Sequence, residues 1–73
     1  MSWTIMTKPG CNYCVKAKAL LKRNNISFTV ADHDTPEKIE RFKSAGYTTF
    51  PQVFHDGFLV GGYTDLEDYL SDF

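Results

Sequence analysis

The stretch WTIMTKPGCNYCVKAKALLKRNN, residues 3–25, decides the fold, because a strand pattern passes directly into a helical one. Residues 3–7 are mostly apolar and β-branched, which predicts a buried strand. Lys8-Pro9-Gly10 interrupts that pattern. From about Asn12 to Asn25 the sequence predicts a helix, whose apolar face carries Cys14, Ala17 and Leu21.

The residues that follow predict a second strand and a second helix. Ser27–Ala31 alternates, with Phe28 and Val30 on one side, so a βαβ unit with two parallel strands is expected. Asp34 is the predicted N-cap of the second helix, with Glu37 three residues on. That helix is expected to run to about Ala45, and Gly46 can end it in a left-handed turn.

The last third of the chain predicts a hairpin and a terminal helix. Gln52–His55 and Phe58–Val60 flank Asp56-Gly57, which is a strong hairpin signal. Thr64-x-x-Glu67 has the form of a capping box and predicts a helix to about Phe73. The order βαβαββα, without repeats or linkers, predicts a single α/β domain over residues 1–73.

Composition narrows the class of protein. The 73 residues are 42% hydrophobic and 15% aromatic, which is typical of a soluble globular domain. A formal net charge of −1 argues against a nucleic-acid binder. No apolar run approaches the roughly 18 residues of a membrane span, and the N-terminus lacks the features of a secretory signal. We therefore expect a cytoplasmic protein without nucleic-acid or membrane partners.

The two cysteines form the motif C-x-x-C at the junction of the first strand and helix. In a reducing compartment such a pair is more often catalytic or metal-binding than a structural disulfide. The first turn of a helix has unpaired N–H groups and partial positive charge, which stabilise a thiolate. Cys11 is therefore the expected nucleophile, and Cys14, one turn further and deeper, is its resolving partner.

The cysteine pair has two other interpretations. Buried cysteines can simply fill a core. A zinc site needs about four ligands, and only His33 and His55 could complete it, at a spacing unlike that of common zinc motifs. We expect His33 to be a solvated loop residue and His55 to be an ordinarily packed strand residue, so no metal site is predicted.

Three motifs together make the chain resemble a glutaredoxin over nearly its whole length. They are Lys8-x-x-Cys11-x-Tyr13-Cys14, Thr49-Phe50-Pro51 and Gly61-Gly62-Tyr63-Thr64-Asp65-Leu66. The resemblance implies a thioredoxin-like fold, in which a four-stranded mixed sheet is flanked by three helices. It also implies a dithiol enzyme that reduces glutathione mixed disulfides and protein disulfides.

The resemblance assigns a glutathione groove to particular residues. Lys8 and Tyr13 would border the groove, and the Phe50 backbone, before a cis-Pro51, would pair with the cysteinyl unit. Gly62, Thr64 and Asp65 would receive the γ-glutamyl end: backbone N–H groups at a helix start bind its carboxylate, and the Asp65 side chain pairs with its ammonium. Lys38 aligns with a residue that meets the glycine carboxylate.

The resemblance also sets expectations about cofactors and partners. Glutathione would be the cosubstrate, and no metal or organic cofactor would be required. The expected partners are glutathione and proteins that carry a disulfide or a bound glutathione, with ribonucleotide reductase as one candidate. The chain is expected to act as a monomer.

Two departures from the family pattern keep alternatives open. Asn12 replaces the usual proline between the first cysteine and the tyrosine, and some relatives without that proline hold an iron–sulfur cluster between two subunits. Phe50 replaces the usual valine and makes that wall of the groove bulkier. The alternatives are a redoxin recharged by thioredoxin reductase, an iron–sulfur glutaredoxin, and a redox-inactive binding domain.

Overall fold

Strands and helices alternate in the predicted order βαβαββα. The computed structural model describes residues 2–72 of the chain. Its elements are β1 (Trp3–Thr7), α1 (Asn12–Arg23), β2 (Thr29–Asp32), α2 (Pro36–Ser44), β3 (Gln52–His55), β4 (Phe58–Gly61) and α3 (Tyr63–Ser71).

The four strands form one mixed sheet with the order β2-β1-β3-β4. β1 pairs with β2 in parallel, as a strand–helix–strand unit requires, and antiparallel with β3. β3 and β4 form the predicted hairpin. Asp56 and Gly57 both have positive φ angles, 52° and 85°, which is the backbone of the tight turns that Asp-Gly favours.

The buried core lies between the sheet and the two helices α1 and α3. Its completely buried members come from four elements: Ile5, Ala17, Leu21, Val53 and Leu66. The three-residue and four-residue spacing of the apolar positions in α1 aims one face at this core. The C-x-x-C end of α1 is thereby fixed at the edge of the sheet where β1 ends.

Several predicted boundaries were wrong, although every predicted element exists. α1 ends at Arg23 rather than Asn25, and Asn25 has a positive φ of 58°. The second strand is Thr29–Asp32 rather than Ser27–Ala31, because Phe28 packs on the core from the preceding loop. The predicted end of the last helix at Phe73 lies outside the described residues.

Both predicted N-caps of the later helices were also wrong. Thr35, not Asp34, caps α2, and its Oγ1 accepts a hydrogen bond from the Lys38 N–H at 3.3 Å. α3 begins two residues earlier than the Thr64 box predicts: Gly62 is its N-cap, and the Asp65 carboxylate accepts the Gly62 N–H. Within residues 2–72, every helix is too short or too polar to cross a bilayer.

Candidate active site

Cys11 and Cys14 lie at the start of α1, as predicted. Cys11 is the N-cap, with an extended backbone (φ −96°, ψ 107°), and its Sγ accepts a hydrogen bond from the Cys14 N–H at 3.1 Å. The two sulfurs form a disulfide, with the Cα atoms 5.2 Å apart. Cys11 is half-buried whereas only 2% of Cys14 is exposed, so Cys11 is the more accessible of the two.

A cavity of about 360 Å³ opens on one side of the cysteine pair. Both cysteines line it, together with residues of the β1–α1 loop, the outer side of α1 and the end of β2. Asp32 and Asp34 form its far rim. Thr7 donates a hydrogen bond from its Oγ1 to Asp32 at 2.8 Å, which fixes this carboxylate against the sheet.

A second cavity of about 350 Å³ lies beside Phe50. Lys8 belongs to the lining of both cavities, and its Nζ lies 5.5 Å from the centre of the Phe50 ring. The Thr48 and Thr49 loop and one side of α2 complete the second cavity. The Phe50–Pro51 peptide bond is cis, as the resemblance implies. Lys8 therefore connects the cysteine pair with Phe50, which precedes the cis-Pro51.

The Phe50 ring is held by an aromatic cluster. It stacks on Phe42 of α2 with 3.9 Å between ring centres, and His33 lies 5.3 Å from it. The His33 Nδ1 is 2.9 Å from the Ala31 carbonyl oxygen. His33 is a loop residue, as expected, but the expectation that it is solvated was wrong, because its ring packs against both Phe42 and Phe50 and is only partly exposed.

The third motif forms the N-terminus of α3. Gly62 donates its N–H to Asp65 Oδ2 at 3.2 Å, and a Cβ on Gly62 would lie 3.6 Å from the Pro51 carbonyl oxygen. The start of α3 is thus packed against the cis-Pro51 loop. Thr64 and Asp65 are exposed at this helix start.

Tyr13 extends from the first turn of α1 towards the same helix. It is 57% exposed, and its ring centre lies 5.8 Å from that of Tyr63, the first residue of α3. The Lys16 Nζ lies 5.1 Å from the Tyr13 ring centre. The contact of Tyr13 with Tyr63 therefore connects the first turn of α1 with the N-terminus of α3.

Lys38 is the predicted site residue that the structure leaves apart. Its Nζ contacts Asp34 Oδ1 at 3.0 Å, and it is not among the lining residues of either cavity. The hydrogen bond and charge of Lys38 lower the pKa of Asp34 below its usual value. Lys43, one further turn along α2, lines the cavity beside Phe50 with Lys8. Sequence reasoning missed Lys43, because a lysine near the end of a helix carries no local signal of binding.

The two histidines lie at opposite ends of β1. His33 donates its backbone N–H to the Thr7 carbonyl oxygen at 2.8 Å, whereas His55 pairs with Trp3 and stacks on its ring at 4.1 Å. His55 is thus a packed strand residue, as expected. In the described part of the chain, no three His, Cys, Asp or Glu side chains are grouped so as to hold a metal ion.

Known proteins are similar to this chain over most of its length. The family model described as Glutaredoxin matches residues 3–60. Glutaredoxin 3 of Escherichia coli K12 is 42% identical over 64 residues, which cover 85% of this chain and 77% of that protein. The hybrid peroxiredoxin hyPrx5 of Haemophilus influenzae is 46% identical over 72 residues, but the match spans only 30% of its length. The crystal structure of glutaredoxin 1 from Francisella tularensis superposes with a TM-score of 0.88 at 31% identity, covering 97% of this chain and 93% of that one.

Proposed function

The chain belongs to the glutaredoxin family and is a thiol–disulfide oxidoreductase, and from that premise we propose that glutathione is its reductant. The proposed reaction reduces glutathione mixed disulfides and protein disulfides. One observation carries the proposal: the accessible Cys11 sulfur caps α1 and accepts the Cys14 N–H at 3.1 Å. A negative charge on this sulfur is stabilised by that N–H and by the positive end of the helix dipole.

The proposed cycle begins at Cys11. Its thiolate attacks the glutathionyl sulfur of a mixed disulfide, which forms a Cys11–glutathione disulfide and breaks the substrate disulfide. The substrate leaves as a thiolate and takes a proton from solvent. The thiolate of a second glutathione then attacks the bound glutathionyl sulfur, releasing glutathione disulfide and regenerating the Cys11 thiolate. The cycle requires no metal or organic cofactor.

Cys14 acts only when the substrate is a protein disulfide. Cys11 first forms a mixed disulfide with the protein, and the Cys14 thiolate then attacks Cys11 Sγ and displaces the reduced protein. The 5.2 Å between the two Cα atoms is within the range for a disulfide. Two glutathiones later reduce the Cys11–Cys14 disulfide. The burial of Cys14 supports this order, because an external disulfide reaches Cys11 first.

The γ-glutamyl end of glutathione is proposed to bind at the start of α3. The backbone N–H groups of Thr64 and Asp65 are at the N-terminus of a nine-residue helix, where they suit a carboxylate. The Asp65 side chain would pair with the α-ammonium group. The packing of Gly62 against Pro51 supports a groove that continues from α3 to the cysteine pair.

The rest of the tripeptide is proposed to run past Tyr13 and Phe50 towards α2. The backbone of Phe50, before Pro51, would pair with the cysteinyl unit. The glycine carboxylate would then enter the cavity that Lys8 and Lys43 line. Lys38 would contribute at longer range, because its ammonium contacts Asp34.

The proposed partners are glutathione and proteins that carry a disulfide or a bound glutathione, with ribonucleotide reductase as one candidate. We propose that the chain acts on them as a monomer in the cytoplasm. Cys11 is partly exposed and lines a surface cavity together with lysines and carboxylates, which supports access by a substrate as large as a protein.

The experiment follows the reduction of a glutathionylated peptide as NADPH consumption. One reaction contains glutathione and glutathione reductase, and the other contains thioredoxin reductase without glutathione. We expect turnover only in the first. Turnover only in the second would overturn the proposal and make the chain a redoxin recharged by thioredoxin reductase. Visible absorbance of sulfur-to-iron bands after oxygen-free purification would instead favour an iron–sulfur glutaredoxin.

A further inference from the structure

Basic and acidic residues are segregated along this chain, and most of them have no role in the proposed reaction. The protein has eight basic and nine acidic residues. Residues 1–31 contain no acidic residue but five of the basic ones, namely Lys8, Lys16, Lys18, Lys22 and Arg23. All nine acidic residues follow from Asp32 onwards. The near-zero net charge thus conceals a basic first half, centred on α1.

Part of this charge forms a stripe that begins at the reactive sulfur. Val15, Lys18 and Lys22 follow one another at intervals of three and four residues, so these three side chains share one face of α1, and the N-cap Cys11 stands four residues before Val15. We call Val15, Lys18 and Lys22 the α1 stripe. Cys11, Val15 and Lys18 line the same 360 Å³ cavity, and Val15 is 65% exposed. A polypeptide bound at Cys11 from this side would therefore lie over an apolar contact and two ammonium groups.

The two lysines of the α1 stripe are not neutralised within the part of the molecule that the structure describes. Over residues 2–72, no carboxylate forms an ion pair with Lys18 or Lys22. On the far rim of the cavity, Asp34 pairs with Lys38 at 3.0 Å, whereas Asp32 accepts the neutral Thr7 hydroxyl at 2.8 Å and keeps its charge without forming an ion pair with either lysine. The stripe is thus available to an external anion.

We propose that the α1 stripe docks an acidic segment of the protein substrate next to its disulfide cysteine. This inference rests on the proposed function and names the class of substrate. α1 rises about 1.5 Å per residue, which places Lys18 about 10 Å and Lys22 about 16 Å along the axis from Cys11. An extended substrate advances about 3.3 Å per residue. Acidic residues three and five positions from the cysteine therefore reach Lys18 and Lys22.

The position of the stripe favours an acidic protein over other polyanions. A nucleic acid or a membrane surface lying along the stripe would cover Cys11 and block its reaction. An acidic substrate segment is instead aligned by the same contact that brings its disulfide to Cys11. Complementary charge at the edge of an interface mainly raises the rate of productive encounter.

The test compares two glutathionylated peptides of equal length. One has Glu at the third and fifth positions on both sides of its cysteine, and the other has Gln there. With glutathione and glutathione reductase at low ionic strength, we expect kcat/KM to be about three- to tenfold higher for the Glu peptide. This preference should fade in ~0.5 M salt, where charges are screened within a few Å.

Charge reversal links the preference to the α1 stripe. The variant Lys18→Glu/Lys22→Glu should favour a third peptide, with Lys at those positions, over the Glu peptide. The control Arg23→Glu/Arg41→Glu has the same net charge but leaves the stripe intact, so it should keep the preference for Glu. Turnover of the small cysteine–glutathione mixed disulfide verifies that each variant is folded.

The outcomes separate this inference from the proposed function. Failure of the wild-type chain to reduce the cysteine–glutathione disulfide would overturn the function. Normal reduction of that small substrate with equal kcat/KM for the Glu and Gln peptides would overturn the α1 stripe alone. Equal rates accompanied by stripe-dependent binding of duplex DNA or anionic vesicles would assign these lysines to a polyanion instead.

Discussion

The Asp65 carboxyl group fills the space in which a Cβ on Gly61 would stand. Gly61 has a φ of +121°, and the position of its absent Cβ lies only 2.8 Å from Asp65 Cγ. The same carboxylate accepts the Gly62 N–H at 3.2 Å. The last residue of β4 must therefore be a glycine for the Asp65 carboxylate to occupy its place at the start of α3.

Gly61→Ala is expected to weaken glutathione binding as well as the fold. The new methyl group would displace the Asp65 carboxylate from the site proposed for the γ-glutamyl ammonium group. An alanine at positive φ also costs about 1–2 kcal/mol of folding free energy. We expect KM for glutathione to rise about three- to tenfold, as for the loss of one exposed or partly exposed charged contact. Steady-state kinetics and thermal unfolding measure the two effects.

Two variants separate backbone strain from the displacement of Asp65. Gly57→Ala also puts an alanine at positive φ, but nothing lies within 4 Å of its Cβ, so it should lower stability without raising KM. Asp65→Asn should raise KM without the strain. If Gly61→Ala and Asp65→Asn both leave KM unchanged, Asp65 does not bind glutathione.

This relationship also marks the limit of what the sequence predicts. Local periodicity predicts the strand and the helix within residues 3–25, with the C-x-x-C motif at their junction. The Asp56-Gly57 pair predicts the hairpin. Local patterns do not predict the N-terminus of α3, because Thr64 and Glu67 match the capping pattern while Gly62 and Asp65 form the cap. The position of the cap depends on where β4 ends, because the end of β4 places Gly61 next to the Asp65 carboxylate. That position is set by the sheet and not by the local sequence.

Local sequence patterns likewise do not predict which residues surround Phe50. His33 stands between two aspartates in the sequence, which is typical of a solvated loop, but the fold brings it against Phe42 and Phe50. Lys43 shows no pattern that distinguishes it from the other lysines. Contacts between residues far apart in sequence decide both positions, whereas the three motifs identified the family.

Phe50→Val is expected to destabilise the protein even though valine is usual in the family at this position. The half-buried Phe50 ring stacks on Phe42 at 3.9 Å, and His33 packs on it from 5.3 Å. Valine would remove the stack on Phe42 and the contact with His33, at a cost of about 1–2 kcal/mol in the free energy of unfolding. Chemical denaturation measures this loss.

The matched control is Phe58→Val on β4. The Phe58 side chain is 78% exposed, so its truncation removes little buried surface and should change stability by less than about 0.5 kcal/mol. Equal losses for the two variants would contradict the structural role of the Phe42–Phe50 stack.

Lys43→Gln is expected to raise KM for glutathione more than Lys38→Gln does. Lys43 and Lys8 line the cavity proposed for the glycine carboxylate, whereas the Lys38 ammonium contacts Asp34. Loss of one exposed charge pair corresponds to a change of about two- to fivefold in KM. Parallel kinetics of the two variants provide the comparison. A larger effect of Lys38→Gln would return the role to Lys38, as the family resemblance implies.

Cys14→Ser is expected to keep the first proposed reaction, with glutathione mixed disulfides, and to lose the second, with protein disulfides. The substitution leaves the backbone N–H of position 14 in place, and the Cys11 sulfur accepts that N–H at 3.1 Å, so Cys11 should still reduce a glutathionylated peptide. Without a resolving thiol, the reduction of an intramolecular protein disulfide should stop at the mixed disulfide. Cys11→Ser should abolish both reactions. Glutathione-coupled assays with the two substrates, and mass spectrometry of the trapped adduct, measure this division.

A second variant, Cys14→Ala, distinguishes loss of the resolving thiol from destabilisation of the fold. Cys14 is buried, and a serine hydroxyl there can destabilise the protein for lack of a partner, whereas Cys14→Ala places no polar group in the core. Both variants should therefore keep the peptide reaction. Loss of deglutathionylation in Cys14→Ala, with the fold intact, would mean that Cys14 takes part in the first attack. The accessibility of Cys11 and its place at the helix N-terminus would then not be what selects the nucleophile.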